Sequence, residues 1–178
     1  MKYFAYGSNM LTERLILRVP EARFLGIARA PGRLLTFHKR SVDESGKCDL
    51  QKTGNNSDIA YGVLFCVPDS QRDALDDAEG LGHGYTAAPI EVFDADSCPV
   101  SAIGYFATDD AINSQLVPYD WYHCLVVSGA KQHDLPAEYV ASITAVLPVA
   151  DPKPERKTRL EALRALENAG IKFTGIAS

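Results

Sequence analysis

The sequence predicts an α+β fold in which a small mixed, curled sheet is flanked by helices. Short β-type runs fill most of the chain up to residue 108, and helical periodicity takes over from residue 119. Regular βαβ alternation and a Gly-x-Gly-x-x-Gly turn are both missing, which argues against a dinucleotide-binding domain. At 178 residues the chain is long enough for a proper core and reads as one domain over 1–178, with a C-terminal helix at about 155–169.

Residues 2–6 are a short, aromatic-rich run closed by Gly7, as a buried strand would be. From Met10 onward, Leu11, Leu15 and Arg18 recur at helical spacing, with Ser8 or Asn9 placed to cap the helix. Residues 23–30 and 33–38 read as two strands broken at Pro31-Gly32. The stretch 41–58 is polar and glycine-bearing, so it reads mostly as loop, with room for a short strand near Cys48. Residues 59–67 are a strong strand pattern. Pro68-Asp69-Ser70 then opens a helix that runs to Glu79 and is closed by Gly80. Strands follow at 85–93, where Pro89 marks an edge or a bulge, and at 100–108. Helical patterns occupy 119–128, 136–147 and 155–169, the last closed by Gly170.

A net charge of -5 argues against nucleic acid or an anionic membrane surface as partner. The small basic cluster Arg156, Lys157 and Arg159 reads as one face of a solvated helix. No signal-peptide pattern opens the chain, and the longest apolar stretch, 143–150, is too short to span a bilayer. Cys48, Cys66, Cys98 and Cys124 lie far apart, with no Cys-x-x-Cys and no zinc-type histidine spacing. Cys66 and Cys124 sit in apolar runs and read as small core residues. The expectation is a cytoplasmic, reduced protein without metal or cofactor, either monomer or homodimer.

The segment ALDDAEGLGHGY, residues 74–85, carries the most chemistry. On its helix Leu75, Ala78 and Glu79 share one face, so Glu79 projects along the packed side while Asp76 and Asp77 look outward. Glu79 also lies in the last turn, where the helix dipole disfavours a negative charge. Burial, dipole and neighbouring acids push such a carboxyl upward, toward the range general acid–base catalysis needs. A plain ion pair or a wet helix end is the structural alternative. His83 could orient a substrate or be an ordinary loop histidine. Tyr6-Gly7-Ser8-Asn9 forms a strand-to-helix junction whose free N–H groups suit anions and polarised carbonyls.

These segments resemble one family. YFAYGSNMLTERLILRVPEA, residues 3–22, is similar to the N-terminal signature of the γ-glutamylcyclotransferases. DDAEGLGHGY resembles their catalytic Glu-Gly segment, and WYHCLVVSGAKQHDLPAEYVASI, residues 121–143, resembles their later helix, Gly-Ala-Lys loop and Leu-Pro-x-Glu-Tyr helix. The resemblance implies a barrel-like sheet flanked by helices, and an enzyme that turns γ-glutamyl amino acids into 5-oxoproline and a free amino acid. It implies Glu79 as the acid–base residue, and Tyr6, Gly7, Ser8, Asn9 and Met10 as the loop holding the γ-glutamyl group. Tyr85, Tyr105 and Tyr122 match tyrosines of the family's pocket. Two departures stand out: the 79–85 loop is one residue shorter than in the animal enzymes, and residues 41–58 match poorly. The alternatives in the same fold are a γ-glutamylamine cyclotransferase, a glutathione-specific cyclotransferase and a non-catalytic binding module; Ser8 weighs against the first, whose opening loop carries threonine there.

Overall fold

The computed structural model describes residues 1–176. Its centre is β1 (Lys2–Ala5), where Tyr3, Phe4 and Ala5 are all buried because both faces of this strand meet apolar neighbours. β1 pairs antiparallel with β5 (Ile59–Cys66), from Lys2 opposite Cys66 to Ala5 opposite Val63. β5 pairs antiparallel with β2 (Arg23–Pro31), with a bulge between Phe24 and Gly26 that tightens the curl. β6 (Tyr85–Phe93) and β7 (Pro99–Ala107) form a long antiparallel hairpin. The sheet closes into a barrel in the order β1-β5-β2-β6-β7, through Arg29 opposite Phe93 and a parallel match of Tyr3 with Ile103. Pro89 lies where β6 has β7 on one side and no strand on the other, which is the edge position expected of it.

Residues 41–58 depart from the loop reading. β3 (Arg33–Arg40) and β4 (Gly46–Lys52) form a separate two-stranded sheet. The polar residues that disguise β4 are satisfied by tertiary contacts. Asp49 is buried, pairs with His38 Nε2 at 2.9 Å and accepts from the Ala107 amide at 2.8 Å. Polar side chains at strand positions are affordable under such conditions, and their partners are not adjacent in sequence.

The first helix is also shorter than the periodicity suggests. A 3-10 turn over Ser8–Met10 precedes α1 (Thr12–Ile16), and neither has a side-chain cap. Asn9, expected as a cap, is turned inward instead. α2 (Arg72–Glu79) follows a 3-10 turn at Asp69–Gln71 and ends at Gly80, whose φ of 72° makes it the left-handed cap. α3 (Asp120–Gln132) runs through the Gly-Ala-Lys segment that sequence similarity placed in a loop. Gly129 continues the helix because it packs directly on the first loop. A Cβ there would lie 2.4 Å from the Leu11 nitrogen. α4 (Ala137–Thr144) and α5 (Lys157–Asn168) complete the layer.

The core joins barrel and helices through Phe4, Phe65, Met10, Leu15, Trp121 and Leu125, all fully or nearly fully buried. Each such side chain contributes roughly 1.5–3 kcal/mol by leaving water. Cys66 is exposed rather than in the core, because it ends β5 at the barrel rim beside Lys2 and Arg23. Cys124 is half-buried, and Cys48 is the cysteine that is buried. The basic cluster is a solvated face only in part. Arg156 forks onto Asp151 and Arg159 reaches the Pro154 carbonyl, while Lys157 stays in water with Glu161 4.0 Å away. Among the described residues no helix is long and apolar enough to cross a membrane.

Candidate active site

The loop after β1 and the last turn of α2 meet at one end of the barrel, where β4, β6, β7 and α3 supply further walls. A small cavity between them gathers Tyr6, Gly7, Ser8, Asn9, Glu79, Tyr85, Tyr105 and Tyr122 from the expected set, and adds Tyr3 and Cys48. Met10 does not line it. Met10 is fully buried against the Gly129 backbone and acts as the floor on which the loop rests.

Glu79 reaches the cavity because Gly80 stops the helix at that point and leaves the carboxylate on its inner edge. Tyr3 donates its hydroxyl to Glu79 Oε1, and Asn9 Nδ2 donates to the same oxygen at 2.8 Å. Arg18 Nη1 donates to Asn9 Oδ1 at 3.1 Å and to the Ala78 carbonyl at 3.3 Å, which ties the loop to the end of α2. These contacts replace both the cap role of Asn9 and the wet-helix-end alternative for Glu79.

Asp76 was expected to face solvent with Asp77. The structure corrects this: Asp77 is exposed, whereas Asp76 is half-buried and accepts the hydroxyl of Tyr105. Arg72, Asp76 and Glu79 follow one another at four and three residues, so they share a helix face. Arg72 Nε reaches the two Asp76 oxygens at 3.0 and 3.1 Å and keeps that inward turn neutral.

The tyrosines are held by the backbone. Tyr85 donates to the Cys48 carbonyl at 2.5 Å, the Cys48 amide donates to Tyr122 Oη at 3.0 Å, and Tyr6 donates to the Tyr105 carbonyl. Burial, with the Glu79 charge second, raises the Tyr3 hydroxyl well above its ordinary range. Burial likewise raises Tyr6, Tyr85, Tyr105 and Tyr122. Burial also pushes the Cys48 thiol up to about 12. At neutral pH the wall is therefore made of neutral phenols and a neutral thiol. Among the described residues Glu79 is the only carboxylate lining the cavity.

Gly7 sits where space is short. A Cβ on it would lie 3.1 Å from Cys48 Cβ and 3.3 Å from the Tyr122 hydroxyl. In the turn that follows, the first bond runs from the Met10 amide to the Gly7 carbonyl at 3.0 Å. The amides of Ser8 and Asn9 precede that bond and have no acceptor within the turn.

The cavity opens into a larger cleft of ≈ 420 Å³, and Ser8, Glu79, Tyr85 and Tyr122 belong to both. His83 stands exposed on its rim, and its carbonyl accepts from Lys39 Nζ at 3.0 Å. Among the described residues no three His, Cys, Asp or Glu side chains gather as a metal-ligand set. Sequence reasoning missed Tyr3, Arg18 and Asp76. An arginine four residues before Arg18, on the same face as Leu11 and Leu15, was a readable signal for Arg14, another lining residue of the cleft.

Residues 60–143 match the model of the AIG2-like family. The chain is 30% identical over 154 residues to the γ-glutamylcyclotransferase of Homo sapiens, covering 82% of this chain and 78% of that one. Against the γ-glutamylcyclotransferase of Mus musculus it is 31% identical over the same shares. A solved structure described as a γ-glutamyl cyclotransferase superposes with a TM-score of 0.81 at 27% identity, covering 92% of this chain and 98% of that chain.

Proposed function

The chain belongs to the γ-glutamylcyclotransferase family and is an enzyme of that type, and from that premise we propose that it cyclises γ-glutamyl amino acids to 5-oxoproline with Glu79 as the acid–base residue. The observation that carries this reading is the position of Glu79: a lone carboxylate in a cavity of neutral phenols, held by Tyr3 and Asn9.

In this reaction the γ-glutamyl group enters the inner cavity with its α-ammonium toward Glu79. Glu79 takes a proton, and the freed amine attacks its own γ-carbonyl. The new C–N bond closes the five-membered lactam, and the electron pair of the carbonyl moves onto oxygen. The Ser8 and Asn9 amides face that oxyanion, a donor of this kind contributing about 3 kcal/mol. As the carbonyl re-forms, the original C–N bond breaks and Glu79 returns the proton to the departing nitrogen; the second proton, shed by the lactam nitrogen, leaves the released amine as an ammonium. Attack is intramolecular, so orientation replaces a nucleophilic side chain, and the chemistry calls for no metal or cofactor. Four unpaired cysteines suit a reducing, cytoplasmic setting.

The test is 5-oxoproline release from γ-glutamyl-alanine, glutathione and γ-glutamyl-ε-lysine. The expected order places γ-glutamyl-alanine first. Preference for glutathione or for the lysine amide would move the enzyme to one of the other cyclotransferase branches, and no release from any of them would leave a binding module.

A further inference from the structure

The protein is acidic overall, with a net charge of -5, yet in the outer cleft Arg14, Arg18, Lys39, Lys47, Arg156 and Lys157 outnumber the carboxylates of Asp43, Asp77 and Glu79. Two of these cations are neutralised within the fold. Lys47 pairs with Asp43 at 2.8 Å, and Arg156 pairs with Asp151 at 2.9 Å. Lys157 stands at the rim, largely in water, with Glu161 4.0 Å away as an exposed partner.

The other three have no carboxylate within salt-bridge reach among the described residues. Arg18 spends its guanidinium on Asn9 and the Ala78 carbonyl. Lys39, only 6% exposed, has the His83 carbonyl and the face of the Tyr85 ring, 4.4 Å from its centroid. Arg14 is the least satisfied. It is 4% exposed, and its Nε has no hydrogen-bond partner among the described residues. Burial, reinforced by the nearby Arg18 charge, pulls its guanidinium down to about 9. A cation taken out of water without an anion is costly, and the cost is recovered when an anion arrives.

The position of the cleft says which part of a substrate meets these cations. Resting on the cyclotransferase reading above, the glutamyl end occupies the inner cavity and the scissile amide lies at Glu79. The leaving residue then passes between Ser8, Tyr85 and Tyr122 into the basic cleft. Its α-carboxylate answers one of the three unpaired cations. We propose that the cleft is a subsite for a leaving amino acid with an acidic side chain, whose second carboxylate pairs with the Arg14 guanidinium, so that γ-glutamyl-aspartate or γ-glutamyl-glutamate is preferred over its neutral amide.

The experiment compares kcat/KM for γ-glutamyl-aspartate and γ-glutamyl-asparagine, which have nearly the same shape, with γ-glutamyl-lysine as the like-charged control. The expected result is about a tenfold advantage for aspartate over asparagine, the scale of one hydrogen bond to a charged group. That advantage shrinks as salt is added, and lysine is the poorest. Arg14→Gln brings the aspartate-to-asparagine ratio toward one, whatever happens to the absolute rates. Should that variant fail to fold, Lys157→Ser at the exposed rim lowers the ratio more modestly, and the wild-type ratio and its salt dependence still decide. Equal or better turnover of the asparagine peptide overturns the acidic subsite and leaves the cyclotransferase reading standing. Release of 5-oxoproline from none of the three, nor from γ-glutamyl-alanine, overturns both.

Discussion

Asn9 donates its side-chain nitrogen to Glu79 at 2.8 Å across 70 residues of sequence. The same amide accepts from Arg18 on its oxygen side, so its orientation is fixed by charge at both ends. An asparagine so placed conveys the arginine's influence to the carboxylate without letting the two neutralise each other. In the proposed reaction this leaves Glu79 without a direct cationic partner where it meets the substrate.

Glu79→Gln is expected to keep the fold and lose turnover. The amide is nearly isosteric, and the buried Leu75 on the same face of α2 is untouched. Loss of general acid–base catalysis costs on the order of 10² to 10⁴ in rate, and a group serving both proton transfers belongs toward the upper end. Rates of 5-oxoproline release beside thermal melts check this. A mutant that keeps more than about a tenth of wild-type kcat, outside that range, removes Glu79 from the mechanism.

Asn9→Ala tests the tether. It deletes one hydrogen bond to a carboxylate and leaves Arg18 without an acceptor on that side. A hydrogen bond to a charged group is worth roughly 1.5–3 kcal/mol, so kcat/KM should fall about ten- to a hundredfold. The fall should lie in kcat more than in KM, because what is lost is the placement of Glu79. An unchanged kcat would show that Tyr3 alone holds the carboxylate.

Cys48 should resist alkylation. With its thiol pushed up to about 12, hardly any thiolate exists at pH 8, and its surroundings exclude reagent. Cys66 and Cys98 are exposed. Iodoacetamide treatment of the native protein followed by peptide mapping should label those two and spare Cys48. Rapid labelling of Cys48 would mean that the tyrosine wall opens in solution.

Asp151 should make stability depend on acid. Its carboxylate accepts from Trp121 Nε1 at 2.9 Å, from the Lys153 amide at 2.9 Å, and from Arg156 at 2.9 and 3.2 Å. Burial alone would raise this carboxyl, but those donors outweigh it and hold it below the ordinary value of 3.8. The folded state therefore binds that proton less readily than the unfolded chain. Its contribution is complete above about pH 4 and is lost as the pH falls through and below that point. Asp151→Asn should cost roughly 2 kcal/mol near neutrality, a figure kept low because Arg156 retains a solvent face. Denaturant melts of both proteins at pH 7 and pH 3 should show the gap narrowing in acid. A constant gap would assign the effect to packing.

Much of this architecture was readable from local pattern. The spacing of Leu75, Ala78 and Glu79, with Gly80 behind them, placed a carboxylate at an inward-facing helix end, and Tyr6-Gly7-Ser8-Asn9 announced a tight junction. What escaped were side chains whose environment comes from distant chain. Asp76 turns in because Tyr105 waits on β7 and Arg72 lies one turn back. β4 was hidden by Asp49, whose partners His38 and Ala107 come from other strands. Asn9 had every property of a cap, and a single tertiary carboxylate outbid the helix terminus for its amide. Arg14 carried a periodic position on an apolar face, but its lack of a partner is a three-dimensional fact.

The barrel wall between β1 and β7 is joined by one register match, Tyr3 with Ile103, and Tyr3 is also the residue whose hydroxyl grips Glu79. In the proposed mechanism, proton transfer is therefore fastened to one of the two single-match seams of the wall, the other being Arg29 with Phe93. Parting of these two strands swings the phenol away and slackens the carboxylate while the β2–β5 ladder remains intact. On slow heating, 5-oxoproline release should fade some degrees before far-ultraviolet circular dichroism reports unfolding, and a bound glutamyl analogue, gripping both sides of the seam, should bring the two transitions together.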